Sequence, residues 1–504
     1  MRAIILGVDG GYWSFIKEHL DNLSSFAYVL ERGTHGILKS TIPPLTPPAW
    51  TSIATGVNPG KHGVFSFYDL RSYGKRLISS RDRACKAIWN LLSLWGRRVL
   101  CLWVPLTYPP EPVNGLMLSG FITPSNTDRY VFPMELMGKM DKLGARQVYK
   151  TVEKSSDLLD SLRTRKKIAR KLLEEVSWDL AFIVFRETDE VWHVSYGYNE
   201  RDALRVYKEV DDFIAYILDE IIDDEETYLF LVSDHGFGYM PSKIFFINRW
   251  LEIKGFLKRR KSGFLDATLT AIATSNRLSR ILSLGLKLLP AWLINNTHRA
   301  VGGEPGEQIN PNGTVAYALQ WTGMPYALII MSPALLRNPS QYFSLRERIV
   351  REFLGIKGPD GKRVFLRAYR NEELYQGPHA WRGPDIVMEL SPDYLAAEGW
   401  SPLFVFADNL IRQNEHHPDG IFACLGPHVK DGNFIGEMAT WDVAPTILHT
   451  LEMAVPKYMD GAVRVDIFKE GSKPRVRKPL LKNVSMARLT PRLRLKKHMA
   501  RASD

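Results

Sequence analysis

Three apolar runs constrain this chain more than any other feature. They are AIILGVD, LAFIVFRETD and YLFLVSDH, ending at Asp9, at Asp189, and at Asp234 with His235. Runs rich in β-branched and large aliphatic residues, with no polar alternation, are the pattern of strands buried on both faces. Helical patterns separate them, the longest being SDLLDSLRTRKKIARKLLEEV at 156–176. The combination predicts an α/β fold with a mostly parallel sheet covered by helices on both faces. In such sheets ligands gather beyond the carboxyl ends of the strands, and all three runs deliver an acid to that edge. An aspartate after a strand often only caps the next helix or closes a turn. Here, however, carboxylate and imidazole arrive together twice, as Asp189 with His193 and as Asp234 with His235. That donor set suits zinc or manganese.

The second feature is STIPPLTPPAWTSIATGVNPGKHG at 40–63, where Thr46 lies between Pro43-Pro44 and Pro47-Pro48. The apolar spacing of AWTSIATG predicts a helix beginning close to Pro47 or Pro48, since proline is tolerated in a first turn. A threonine hydroxyl is a poor nucleophile at neutral pH and needs a base or a metal. At a helix N-terminus it would also feel the positive end of the dipole, which favours an alkoxide and a bound phosphate. On spacing alone Thr41, Thr51 and Ser52 compete with Thr46.

Composition sets the frame for this chemistry. With 504 residues and 45% hydrophobic content, the chain can bury a large core in two or more units. No run approaches the ~18 to 20 apolar residues of a membrane span, and the first acid comes after eight residues, so a cytoplasmic protein is expected, peripheral to a membrane at most. Cys85, Cys101 and Cys424 are widely spaced and odd in number, which fits buried thiols rather than disulfides or a thiolate metal site. The net charge of +11 is concentrated at 469–504, where twelve lysines and arginines face Glu470 and Asp504. This basic tail is expected to be flexible, with an anionic partner or membrane surface as the sharper reading and no specific nucleic-acid partner. Residues 254–303 hold nine basic residues and one acid, with Leu278, Ile281, Leu282, Leu289, Trp292 and Leu293 on a helical spacing. A helical lid over 251–306 is predicted there, between catalytic segments at 1–250 and 307–468.

Seven motifs together resemble a known family. ILGVDGG, STIPPLTPPAWTSIATGVNPGKHGVFSF, VPLTYPPEPVNGLMLSGFITPS, ETDEVWH, VSDHGFG, HHPDGIF and DVAPTILHTLEMAVPKYMDG occur in order over residues 1–468. The chain resembles the alkaline phosphatase superfamily, in its type I phosphodiesterase/nucleotide pyrophosphatase branch, within a subgroup of phosphohydrolases or phosphomutases. The resemblance implies an alkaline-phosphatase-like fold and a metal-dependent phosphohydrolase acting on a phosphodiester or phosphomonoester. It implies Thr46 as the nucleophile, Asp9, Thr46, Asp234 and His235 on one divalent ion, and Asp189, His193 and His416 on the other, with zinc as the default and manganese as the alternative. His416 is preferred over the adjacent His417, and His62 supports the loop without being a ligand. Where nucleotide pyrophosphatases similar to this chain carry an asparagine after their HG turn, HGVFSF has Phe67, which leaves nucleotide diesters outside the expectation. Lys61 is a candidate to supply the missing charge to the substrate.

Two other functions compete. A phosphomutase or phosphotransferase would return the same phosphoryl group to a substrate hydroxyl when water is excluded. A non-catalytic protein would use the basic tail on RNA or a membrane, and the complete ligand set argues against it.

Overall fold

The computed structural model describes residues 1–73, 76–150, 155–194, 200–222, 226–239, 241–260, 308–319, 324–397, 405–408 and 414–487. Nine strands form the central sheet: β1 (Arg2–Val8), β2 (Thr34–Lys39), β3 (Val99–Leu102), β4 (Gly115–Leu118), β5 (Val131–Phe132), β6 (Leu180–Phe185), β7 (Thr227–Val232), β8 (Asp419–Leu425) and β9 (Asn433–Ala439). Their order is β9-β2-β8-β7-β1-β6-β3-β4-β5. β7, β1, β6, β3 and β4 form one parallel block. β8 runs against both of its neighbours, and β5 runs against β4. The sheet is therefore mixed, with its parallel block at the centre.

Alternation along β1 shows how the two faces are filled. Ile4, Leu6 and Val8 enter one core with Leu158, Leu162, Leu172, Val206 and Val210 from the helices Ser155–Glu175 and Glu200–Tyr216. Ala3 and Ile5 enter the opposite core with Trp50, Ile53, Trp89, Ile447 and Leu448. Every residue of β6 and β7 is buried, which is why these strands read as unbroken apolar runs.

Within the expected second catalytic segment, 307–468, the strands divide between two sheets. The strands Ala316–Ala318, Tyr326–Met331, Ile386–Leu390 and Phe365–Arg370 form their own antiparallel sheet, and the central sheet resumes only at Asp419. Tyr326–Met331 is interior to that small sheet and buried throughout, so its sequence is indistinguishable from a parallel core strand. This lobe packs on Leu45, Phe65, Phe67 and Leu70, beside the proline-rich loop.

The basic tail also differs from expectation in its first half. Leu481–Lys482 pairs with Val455–Pro456, Lys86 donates to the carbonyls of Ser485 and Ala487, and Cys85 bridges to Ala487. Residues 469–487 are thus fastened to the body by backbone pairing, which charge counting does not register. Residues 488–504, and the 261–306 part of the expected lid, lie outside the described residues. No helix among the described residues is long and apolar enough to cross a membrane.

Candidate metal centre

β1 lies between β6 and β7 in parallel register, with Val8 opposite Phe185 and Gly7 opposite Val232. The three chains therefore leave the sheet side by side. Asp9 follows β1 directly, Asp234 lies two residues past β7, and Asp189 stands in the first turn of the helix Glu187–Val194. His193, four residues after Asp189, falls on the same face of that helix. Gly10 makes the turn after Asp9 with φ +64, and a Cβ there would stand 2.5 Å from the Phe237 ring. His416 comes from a distant stretch: the strand Glu415–His417 pairs antiparallel with Gly236–Tyr239, with His416 opposite Phe237.

The side chains converge. Asp189 Oδ1 lies 3.4 Å from His193 Nε2, 3.6 Å from His416 Nε2 and 3.8 Å from His235 Nε2. His235 Nε2 is also 3.4 Å from Asp234 Oδ2, and the rings of His235 and His416 stack at 3.8 Å. Two ligand groups result, Asp189 with His193 and His416, and Asp9 with Asp189 and His235, each with donor atoms within 4.8 Å of one another. Asp189 belongs to both.

Surrounding groups aim these donors. His235 Nδ1 meets the Gly236 carbonyl at 3.2 Å and His416 Nδ1 meets the Pro44 carbonyl at 3.0 Å. A carbonyl only accepts, so each Nδ1 carries the proton and each Nε2 turns a lone pair into the cluster. Gly10 N–H donates to Asp234 Oδ1, the Trp50 indole to Asp9 Oδ2, and the Thr188 hydroxyl to the Asp9 carbonyl. Asp9 Oδ1, Asp189 Oδ1, Asp234 Oδ2 and His235 Nε2 are buried with no hydrogen-bond partner among the described residues.

Buried orphan acceptors are costly unless something positive meets them. Burial and the charges of Asp234 and Asp189 push the Asp9 carboxyl well above its ordinary range, and burial raises Asp234 too. Burial opposes ionisation of Asp189 as well, but His193, His416 and His235 outweigh it and hold this carboxyl low. Three carboxylates and three imidazoles, with His193 Nε2 and His416 Nε2 only 3.1 Å apart, form a donor set that fits divalent cations.

The hydroxyls of the proline-rich loop are now distinguishable. Thr41 donates to the Pro43 carbonyl at 2.8 Å, Thr51 to the Pro47 carbonyl at 2.6 Å, and Ser52 Oγ meets His62 Nε2 at 3.0 Å. The Thr46 hydroxyl makes no hydrogen bond to any described residue. Thr46 opens the helix Thr46–Thr55, slightly before the expected start. Pro47 and Pro48 have no N–H, so in the first turn only Thr46 and Ala49 carry amides, and that of Ala49 bonds Leu45. The loop is anchored on both sides of Thr46, by Pro44 to His416 and by Trp50 to Asp9.

His62 is a buttress. Val64 N–H donates to its Nδ1 at 3.1 Å, so Nε2 carries the proton and donates to Ser52. Burial lowers its pKa to about 3. The unfolded chain therefore binds a proton between pH 6.5 and about 3 that the folded chain refuses, so this stability is complete above pH 6.5 and is lost as pH falls. Stabilities of wild type and His62→Gln from urea titrations should diverge with a pH dependence that approaches about 1.4 kcal/mol per pH unit below about pH 5.5. Parallel curves would contradict a buried neutral His62.

One expectation is corrected here. Lys61 does not face the cluster: its ammonium bonds the Tyr458 carbonyl at 2.8 Å and Asp460 Oδ1 at 2.5 Å. Asp460 lies far along the chain, so sequence offered no sign of the partner. Lys61→Ala should leave KM for a phosphodiester essentially unchanged and lower stability by no more than about 1 kcal/mol, as for other half-exposed pairs. A rise in KM of tenfold or more would restore Lys61 to the substrate. His417 also stays apart, with its Nδ1 taking the Asp419 N–H at 3.2 Å, while His416 enters the cluster. Sequence reasoning missed Trp50, Thr188 and Gly10. Gly10 was marked by the Asp-Gly-Gly turn, whereas Trp50 and Thr188 read as ordinary helix residues.

Acids and imidazoles thus meet at the carboxyl edge of a parallel block, beside the threonine-bearing helix of an α/β fold. Residues 3–419 match the family described as type I phosphodiesterase/nucleotide pyrophosphatase, and the chain belongs to that family. It is a hydrolase acting on phosphoric ester bonds, from a metal-dependent family that typically uses two divalent ions. Among solved structures, it is similar to an inactive variant of murine ectonucleotide pyrophosphatase/phosphodiesterase 5 in complex with AMP, at 13% identity and TM-score 0.51, over 93% of this chain and 100% of that one. The human ectonucleotide pyrophosphatase/phosphodiesterase 5 is similar at 12% identity with the same TM-score and coverage. At these identities the likeness establishes the alkaline-phosphatase-like fold. No curated protein matches the chain.

Proposed function

We propose that the chain cleaves a phosphodiester through a phosphothreonine formed on Thr46, with two divalent cations, zinc by default and manganese as the alternative. The observation that carries this reading is the set of four buried donor atoms on Asp9, Asp189, Asp234 and His235 with no hydrogen-bond partner among the described residues, beside a helix that opens with Thr46. In this reading Asp9, Asp234 and His235, with Thr46, hold one cation, and Asp189, His193 and His416 hold the other, Asp189 also reaching the first group. When bound, the cations supply charge stabilisation to the attacking, leaving and phosphoryl oxygens.

The chain's own groups do the rest. Thr46 Oγ1 gives up its proton to solvent and attacks phosphorus in line; the new P–O bond forms as the bond to the departing alkoxide breaks, and the alkoxide takes a proton from solvent and leaves as an alcohol. Water then cleaves the phosphothreonine and restores the hydroxyl. Phosphoryl transfer depends mainly on positioning and on preorganised charge, so a separate general base is not required. The anchors at Pro44 and Trp50 supply that positioning by tying the loop to His416 and Asp9.

Phe67 fits the expectation that nucleotide diesters are not the preferred substrate. It is buried, it packs edge-on against Phe121 at 5.7 Å, and its ring offers no hydrogen-bond donor to a phosphate oxygen. The test is hydrolysis of bis- and mono-p-nitrophenyl phosphate by protein loaded with zinc or with manganese. Faster turnover of the diester supports the reading, and preference for the monoester overturns its substrate half. Accumulation of an isomeric phosphate ester in place of alcohol and phosphate would favour the mutase.

A further inference from the structure

Trp50 stands where the strand carrying Asp9 meets the helix carrying Thr46. It is completely buried, and its indole N–H donates to Asp9 Oδ2 at 3.2 Å, while Asp9 Oδ1 has no partner. The two oxygens of one carboxylate are thereby made unequal: one accepts from the indole and the other has no hydrogen-bond partner among the described residues, while the carboxylate as a whole lies within reach of His235 and Asp189. Trp50 also lies one turn after Thr46, on the same face of the helix.

The sequence of β1 is adapted to this indole. Glycine in a strand interior weakens it and often marks a close approach. Gly7 is such a residue: a Cβ there would sit 2.4 Å from Trp50 Cη2 and 2.8 Å from Val184 Cγ2. The ring thus lies directly on the backbone of β1, two residues before the ligand. Phe182 closes another side, with ring centroids 6.1 Å apart. The indole has one place to sit and, in that place, one acceptor for its N–H.

We propose that Trp50 is a positioning residue that makes Asp9 a one-oxygen metal ligand and sets the Thr46 helix in register with it. Outer partners of metal ligands generally act by fixing orientation, and losing one costs about 10–100-fold in metal affinity. The effect should be confined to the cation on the Asp9 side, because Trp50 donates to neither His193 nor His416. This inference rests on the two-metal reading above.

The experiment is chelator-competition titration of zinc, with no substrate present, into wild type and Trp50→Phe. Wild type should take two ions per chain. In Trp50→Phe one site should weaken about 10–100-fold and the other stay unchanged. If the smaller ring prevents folding, 3-benzothienylalanine placed at position 50 by codon suppression keeps the shape and deletes only the N–H, and the same one-site loss is expected. Wild-type affinity at both sites, or equal weakening of both, overturns the role of Trp50. Failure of wild type to bind two ions instead overturns the two-metal reading on which it stands.

Discussion

Thr46→Ala protein, loaded with zinc, should release no measurable p-nitrophenol from bis-p-nitrophenyl phosphate, a loss of on the order of 10⁴-fold or more in kcat, as when an enzyme loses its nucleophile. The expectation rests on bookkeeping of hydroxyls in the proline-rich loop. Thr41, Thr51 and Ser52 have partners at 2.8, 2.6 and 3.0 Å, and using any of them would first require breaking that bond. Thr46 alone of the four has no such bond to give up. Thr46 opens its helix without capping it through its side chain, so the fold should survive, with an unfolding midpoint near wild type, while the site of Asp9, Asp234 and His235 loses one of its ligands. Thr46→Ser, which keeps the oxygen, should retain part of the activity. Acid quenching of wild type during turnover, followed by mass spectrometry, should find phosphate on the peptide containing Thr46. Near-wild-type turnover by Thr46→Ala would remove the nucleophile assignment, and loss of activity in Thr51→Ala or Ser52→Ala with intact metal content would relocate it.

Why so much of this centre is visible in the sequence has a geometric explanation. Asp9, Asp189 and Asp234 each lie within four residues of a strand end, and the strands are buried on both faces, so sequence distance to the apolar run measures spatial distance to the sheet edge. His193 and His235 follow from helix and turn spacing. His416 does not, because its approach depends on pairing with Gly236–Tyr239 across nearly two hundred residues; only family resemblance pointed to it. The same limit explains the misreadings. Lys61 looked available because Asp460 is 399 residues away, and 469–487 looked loose because its charges are conspicuous while its pairing with Val455–Pro456 is made by backbone. The antiparallel lobe was not legible because Tyr326–Met331 is buried throughout, which erases the alternation that would have revealed it. Trp50 escaped notice because its indole serves the core with its ring and the Asp9 carboxylate with a single N–H.

Asp189 should prove the least replaceable ligand. Its Oδ1 belongs to both candidate groups, within 3.4–3.8 Å of His193, His416 and His235, whereas the imidazoles of His193 and His235 each belong to one. Asp189→Asn should therefore weaken both sites, and His193→Ala only the site it shares with His416. Stability gives a readout independent of turnover. A ligand that binds only the folded chain stabilises it by about 4 kcal/mol when held at about a thousand times its Kd. Zinc-loaded wild type should then unfold at clearly higher urea than chelator-treated wild type. His193→Ala should keep the part of that gap owed to the site of Asp9, Asp234 and His235, and in Asp189→Asn the gap should nearly close. Removing the Asp189 charge also takes a negative neighbour from Asp9 and Asp234, so the stripped variant need not be less stable than stripped wild type. It is the response to zinc that must vanish. Two ions retained at wild-type affinity by Asp189→Asn would show that Asp189 lies among the ligands without being one.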